Sequence, residues 1–173
     1  KRRPDFTLTN PGSLIAAIPA VLGFAPEKSL VLVGLERGLL GAVMRVDLCA
    51  VQELGVGGIC DAAQNSGAQA VVAVIVDSDV AGCLDAHGQL DADLGEELAQ
   101  RHMKLIATHI VDRVAEGGVW RCADGCGARG VIDDPGSSNL AAAAVADGRR
   151  IYANRAELQT IVAAEVAPLR QTY

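Results

Sequence analysis

Apolar positions along the chain fall into two patterns. At residues 29–36 (SLVLVGLE) and 70–77 (AVVAVIVD) they are nearly continuous and rich in β-branched side chains, as in strands buried on both faces. Leu14, Ile15, Ile18, Val21 and Leu22 instead recur at helical spacing. Asn10-Pro11 gives that helix a capping side chain and a proline at its first position, and Gly23 with Pro26 closes it. Pro19 is expected to kink or end the helix, because its ring removes a backbone donor. Residues 5–9 (DFTLT) alternate as a short strand.

Arg37-Gly38 is a tight-turn signal that joins 29–36 to a return strand at 39–48, forming a β-hairpin. Residues 49–66 read as one helix, weakened by Gly55, Gly57 and Gly58 and capped by Gly67. A polar connection at 78–90 leads to an amphipathic helix at 91–104 whose first turns are acidic. Residues 105–114 alternate as a strand, Glu116-Gly117-Gly118 turns it, and 119–121 form a short partner. Residues 122–135 read as an irregular loop. Ser137 or Ser138 caps a helix through 141–146 that Gly148 ends, Ile151-Tyr152 is extended, and Asn154 with Glu157 opens a last helix that stops before Pro168. The order predicts a single α/β domain over residues 1–173. Its sheet is mixed and mostly parallel, of about five or six strands with β-hairpins, and helices cover both faces.

Composition narrows the function classes. The chain has 173 residues, 50% of them hydrophobic and 21% charged, so it can bury a substantial core and is not disordered. A formal charge of −6 with 3% aromatic residues makes a nucleic-acid partner unfavourable. Twelve of the fifteen basic residues are arginine, which reads as coding bias rather than as a binding signal. Cys49, Cys60, Cys83, Cys122 and Cys126 are an odd, scattered set without a signal peptide, as expected of reduced thiols in a cytoplasmic protein. The longest apolar run, 14–25, contains Pro19 and falls short of the roughly 20 residues a membrane span requires. The chain opens Lys1-Arg2-Arg3-Pro4 and closes at Tyr173, so truncation at one or both termini is expected.

The stretch Pro11-Gly12-Ser13-Leu14-Ile15-Ala16-Ala17-Ile18-Pro19-Ala20-Val21-Leu22-Gly23-Phe24, followed by Pro26 and by Ser29-Leu30-Val31-Leu32-Val33-Gly34-Leu35, is distinctive. So are Arg45-Val46-Asp47-Leu48, Val119-Trp120-Arg121-Cys122 and Ser138-Asn139-Leu140-Ala141-Ala142-Ala143. Together they resemble an uncharacterised actinobacterial family, domain of unknown function four-one-nine-two. The likeness is strongest over the first fifty residues or so and looser over the rest. It implies a cytosolic protein from a high-GC bacterium, and it carries over neither an activity nor catalytic residues.

Three groups of residues offer chemistry. Asp47 closes one predicted strand, and Asp77 with Asp79 closes another. If those strands are parallel neighbours, the carboxylates share the carboxyl edge where open α/β sheets place their ligands. Asp47 and Asp77 are then candidate ligands for Mg2+ or Mn2+, which take oxygen donors and can orient a phosphate. The simpler reading is that these aspartates turn the chain and cap helices. Arg45 points to the same face as Asp47, so the two form either an anion site or an ion pair that fixes Asp47. Cys122 and Cys126, in CADGCG, are a candidate thiol pair, either half a zinc site or a labile disulfide, set against the simpler reading of loop thiols. His109 and Cys83 join them only if folding brings them there. His102 falls on a helix, His109 on a strand, and His87 in a polar loop with Asp85. No Walker, G-x-G-x-x-G or G-x-S-x-G motif is present. The apolar first helix and the alanine-rich helix at 140–146 suit a homo-oligomer. The expected function is a binding or protein-interaction module for a partner chain or small ligand. The alternative is a divalent-metal-assisted enzyme acting on a phosphate-containing metabolite at Arg45, Asp47, Asp77 and Asp79.

Overall fold

The computed structural model describes residues 10–166, and the predicted strand at 5–9 lies outside them. Helix α1 (Pro11–Leu22) starts where Asn10 Oδ1 accepts the Gly12 amide at 3.0 Å. Pro19 does not end it. Only one helical donor is missing, Leu14, Ile15 and Ile18 are buried, and Gly23 at φ 85° caps the end by donating to the Pro19 carbonyl at 2.8 Å. Strands β1 (Ser29–Glu36) and β2 (Leu39–Asp47) form the expected antiparallel hairpin around Arg37-Gly38.

The predicted helix at 49–66 is two helices, α2 (Leu48–Leu54) and α3 (Gly57–Asn65). Gly55 breaks it, with φ 74° and ψ −170°, a conformation open essentially to glycine alone. Strand β3 (Ala70–Val76) follows, then α4 (Leu84–Gln100), which begins well before the predicted residue 91. His87, Leu94 and Leu98 share its buried stripe, so His87 belongs to the helix and not to a loop. Strands β4 (Lys104–Val111) and β5 (Val119–Cys122) pair antiparallel as expected, but β4 ends three residues before the expected 114, so the connection spans 112–118. Within the predicted irregular loop lies β6 (Arg129–Val131), three residues laid against the Trp120 indole. A β-carbon on Gly130 would stand 2.8 Å from Trp120 Nε1, so glycine is what permits that approach. A 3-10 turn (Pro135–Ser137) leads to α5 (Asn139–Ala146), capped by Ser138 Oγ, and α6 (Arg155–Val166) opens on Asn154.

The six strands make one mixed sheet in the order β2-β1-β3-β4-β5-β6. The expectation of a mostly parallel sheet is corrected: β3–β4 is the parallel pair, and the other four pairings are antiparallel. Hairpins occupy both flanks, and β3 takes the free edge of β1 in the antiparallel sense. Side chains alternate between two cores as the pleat requires. Val31, Val33, Val72 and Val74 face α1, Trp120 and Ile132. Leu30, Leu32, Ala73 and Ile75 face α2, α3 and α4 through Val51, Cys60, Leu94 and Leu98. Helices therefore cover both faces, and each fully buried leucine or isoleucine stabilises the fold by about 1.5–3 kcal/mol. Among the described residues, no helix is long and apolar enough to cross a membrane.

Candidate functional site

The parallel ladder carries β3 one residue past its end, since the Asp77 amide donates to the Val111 carbonyl at 2.9 Å. This holds the Asp77 side chain at the carboxyl edge of the sheet, with the residue only 4% exposed. Its Oδ1 accepts the Lys28 ammonium and, at 3.0 Å, the Asp79 amide. Its Oδ2 meets His87 Nε2 at 3.0 Å. Burial pushes the Asp77 pKa up, but Lys28, the Asp79 amide and His87 together outweigh it, and the net direction is down. Lys28 holds φ 42°, in the left-handed region, and its carbonyl accepts the Leu48 amide at 2.9 Å, so its backbone is fixed between the hairpin strands.

His87 lies one turn into α4 and is 3% exposed. Its Nδ1 is buried without a hydrogen-bond partner. Cys83 precedes that helix, and its thiol lies 3.9 Å from Asp79 Oδ2. Asp79 in turn accepts the Gly82 amide at 3.2 Å, and a β-carbon on Gly82 would stand 2.8 Å from both its oxygens. The donor atoms of Asp77, Cys83 and His87 all lie within 4.8 Å of one another. Burial, then Asp77 and Asp79, push the Cys83 pKa up. What the three atoms can do is converge on a cation.

Asp47 belongs to a different group. Arg45 donates to Asp47 Oδ1 and, through Nε, to Ser29 Oγ at 2.9 Å; Arg155 of α6 reaches Asp47 Oδ2 at 3.2 Å. The Arg45–Asp47 contact is the ion pair that their spacing on one strand face allows. β2 and β3 are not neighbours, as the shared-edge argument supposed. Ser29 of β1 stands in register with Asp47 on one side and Val76 on the other. Asp47 and Asp77 do share an edge, but about two strand spacings separate them, roughly 9–10 Å, too far for one ion to bridge.

At the same edge a cleft of about 450 Å³ opens, lined among others by Pro26, Lys28, Ser78, Arg113, Val114 and Ala153; Lys28 joins it to Asp77, which does not line it, nor do Cys83 and His87. The cleft sits at the carboxyl ends of the parallel pair β3 and β4. Arg113 is paired with Asp112 at 2.8 Å, and the Asp112 carboxylate also receives the Val119 amide. The parallel bridge between Phe24 and Tyr152 fixes the C-terminal segment along the rim.

Cys122 and Cys126 lie elsewhere, at and beyond the end of β5. Folding adds His109, whose Nδ1 is 3.6 Å from Cys122 Sγ, but not Cys83, which stands with Asp77. Burial lowers the His109 pKa, with Asp124 opposing, and burial followed by Cys126 and Asp124 pushes Cys122 up to about 11. All five cysteines are free thiols. Sequence reasoning therefore missed Lys28, Cys83 and His87 at the strand end; the one signal for His87 was its spacing from Leu94 and Leu98.

A family model described as a domain of unknown function (DUF4192) matches residues 11–172. No curated protein and no solved structure matches the chain.

Proposed function

The chain belongs to this family, DUF4192, a domain of unknown function, and from that premise we propose that it is a metal-dependent binding domain for a small anionic molecule. A divalent ion sits on Asp77, Cys83 and His87, and the molecule occupies the adjoining cleft. The observation that supports this is the convergence of an oxygen, a sulfur and a nitrogen donor at the end of β3, two of them on buried side chains. A thiolate and an imidazole favour Zn2+ over the Mg2+ or Mn2+ expected from carboxylates alone. Three protein donors leave one coordination position unfilled, and Lys28, which bonds Asp77 and lines the cleft, joins the two. The cleft volume suits a metabolite-sized ligand. Lys28, with 58% of its side chain exposed, is able to leave Asp77 and face an anionic ligand together with Arg113. The ion, when bound, supplies a Lewis acid that polarises a ligand oxygen. The reading assigns binding and not turnover, and Cys83 gives up its proton when the ion binds. The free thiols support a cytoplasmic location.

The test is a Co2+ and Zn2+ titration of chelator-stripped, reduced protein carrying Cys122→Ser and Cys126→Ser, which leaves Cys83 as the thiolate read at this edge. A thiolate-to-cobalt absorption band is expected. Cys83→Ser should abolish it, and Asp77→Asn or His87→Gln should weaken metal binding by at least about 100-fold. A band, or an affinity, indifferent to all three substitutions overturns the reading.

A specific observation also favours self-association. β2 is the outer strand of the sheet, with its far side unpaired among the described residues. Beside it lies an apolar hollow of about 460 Å³ lined by Met44, Val46, Ala50, Leu54, Ile59 and Ala62, with Leu54 83% exposed. A second copy pairing along β2 would cover both. Sedimentation analysis should give a dimer mass that Leu54→Asp converts to monomer. A wild-type monomer at tens of micromolar would remove this reading.

A further inference from the structure

A second donor group is built where β5 leaves the sheet. Antiparallel register sets His109 of β4 opposite Cys122 of β5 and brings His109 Nδ1 to 3.6 Å from Cys122 Sγ. The chain then doubles back. The Cys122 amide donates to the Ala128 carbonyl at 2.9 Å, the Ala123 amide to Thr108 at 2.9 Å, and the Cys126 amide to Asp124 Oδ1 at 2.9 Å. Gly125 and Gly127 make the reversal possible with φ of 74° and 80°. The donor atoms of Cys122, Asp124 and Cys126 end within 4.8 Å of one another.

From this geometry we propose that Cys122, Cys126, Asp124 and His109 bind a structural zinc ion that fastens the loop after β5 to strand β4. Zinc bonds sulfur at about 2.3 Å and nitrogen at about 2.0–2.1 Å with tetrahedral angles, so two such ligands of one ion stand about 3.6 Å apart. That is the separation of Cys122 Sγ and His109 Nδ1. His109, 5% exposed, is held by its strand and by edge-on contact with Trp120, ring centroids 5.2 Å apart. The exposed 123–127 loop supplies the remaining donors and closes on them. Two sulfurs, a nitrogen and an oxygen select zinc over calcium or magnesium. Four protein donors make a closed, structural centre. Binding displaces the two thiol protons to solvent, and no electron is transferred. The role follows from the loop it ties down: residues 123–127 are outside any strand, link the short strands β5 and β6, and are brought by the ion onto His109 of β4. The group shares no residue with the Asp77 cluster.

The experiment uses the full chain carrying Cys83→Ser, reduced and stripped of metal, with Co2+ and then Zn2+ as probes. A thiolate-to-cobalt band with tetrahedral visible absorption is expected, displaced by zinc. Cys126→Ser and Asp124→Asn should each weaken zinc binding by about 100-fold or more. Asp124→Asn, at an exposed position, keeps the test valid should His109→Gln fail to fold. Zinc should slow amide exchange across residues 119–131. The proposal is overturned if the Cys83→Ser protein shows no thiolate band, or keeps it with both Cys122 and Cys126 replaced. It is equally overturned if the protein carries a Cys122–Cys126 disulfide and, once reduced, still ignores the metal. Failure here leaves the Asp77 reading standing, because that titration is made without these two thiols.

Discussion

Gly118→Ala should destabilise the protein by at least about 3 kcal/mol, read as a lower urea midpoint at unchanged slope. A β-carbon there would stand 2.2 Å from the Arg113 carbonyl oxygen and 3.0 Å from that of Ala115. Neither is the end of a flexible side chain. Both belong to the turn between β4 and β5, so the backbone itself would have to move. That turn is tied on both sides. Gly118 donates to Ala115 at 2.9 Å and accepts from the Ile132 amide at 2.7 Å, and Ile132 is 2% exposed in the core beneath α1. Displacing the turn therefore pulls a core side chain with it. Gly58→Ala is the contrast, because nothing lies within 4 Å of its added methyl and the position is an exposed helical one. That change should be neutral or stabilising by up to about 1 kcal/mol. A Gly118→Ala loss no larger than this would show that the turn gives way freely.

Asp77→Ala should cost about 3 kcal/mol in metal-free protein, measured by the same denaturation. Alanine leaves His87 buried with its remaining ring contact gone and removes the acceptor of the Asp79 amide. Asp77→Asn should lose much less, since its carbonyl oxygen still accepts that amide and its shape fills the same space. The difference between the two variants separates the structural demand at this edge from the metal demand, which both variants should fail. Equal stability of Asp77→Ala and wild type would show that packing alone keeps His87 in place.

Much of this architecture is legible in local residue patterns. The continuous runs of β1 and β3 announce strands buried on both faces, and the capping side chains of Asn10, Ser138 and Asn154 each meet the amides expected of them. What local pattern does not contain is which free edge a later strand will take. β3 follows two helices, and nothing in its own residues says that β1 will lie between it and β2. His87 was hidden for a different reason. It occupies a buried stripe position with Leu94 and Leu98 but is a polar residue in a polar stretch, and its partner Asp77 is set by no helical spacing. Lys28 comes from just before β1, and only the antiparallel β1–β3 register, Ser29 against Val76, brings it to Asp77. His109 and Cys122 were hidden by the length of the connection between their strands. Counting outward from Glu116-Gly117-Gly118 sets Cys122 opposite Asp112, whereas β4 ends at Val111 and the resulting three-residue shift in register brings His109 there.

The strand order also dictates how the chain comes together. β1–β2 and β4–β5–β6 are ribbons closed by short turns, and each can zip up from neighbours in the sequence. β3 has no such companion, and its pairings join Val31 to Val74 and Val74 to His109 across long stretches of chain. Assembly is then the docking of two early ribbons onto one late strand. Asp77, one residue beyond that strand, receives Lys28 from the first ribbon and the Val111 carbonyl from the second only at that step. The edge proposed to bind is finished last in that order, so occupancy there would report a completed molecule and not a nascent one.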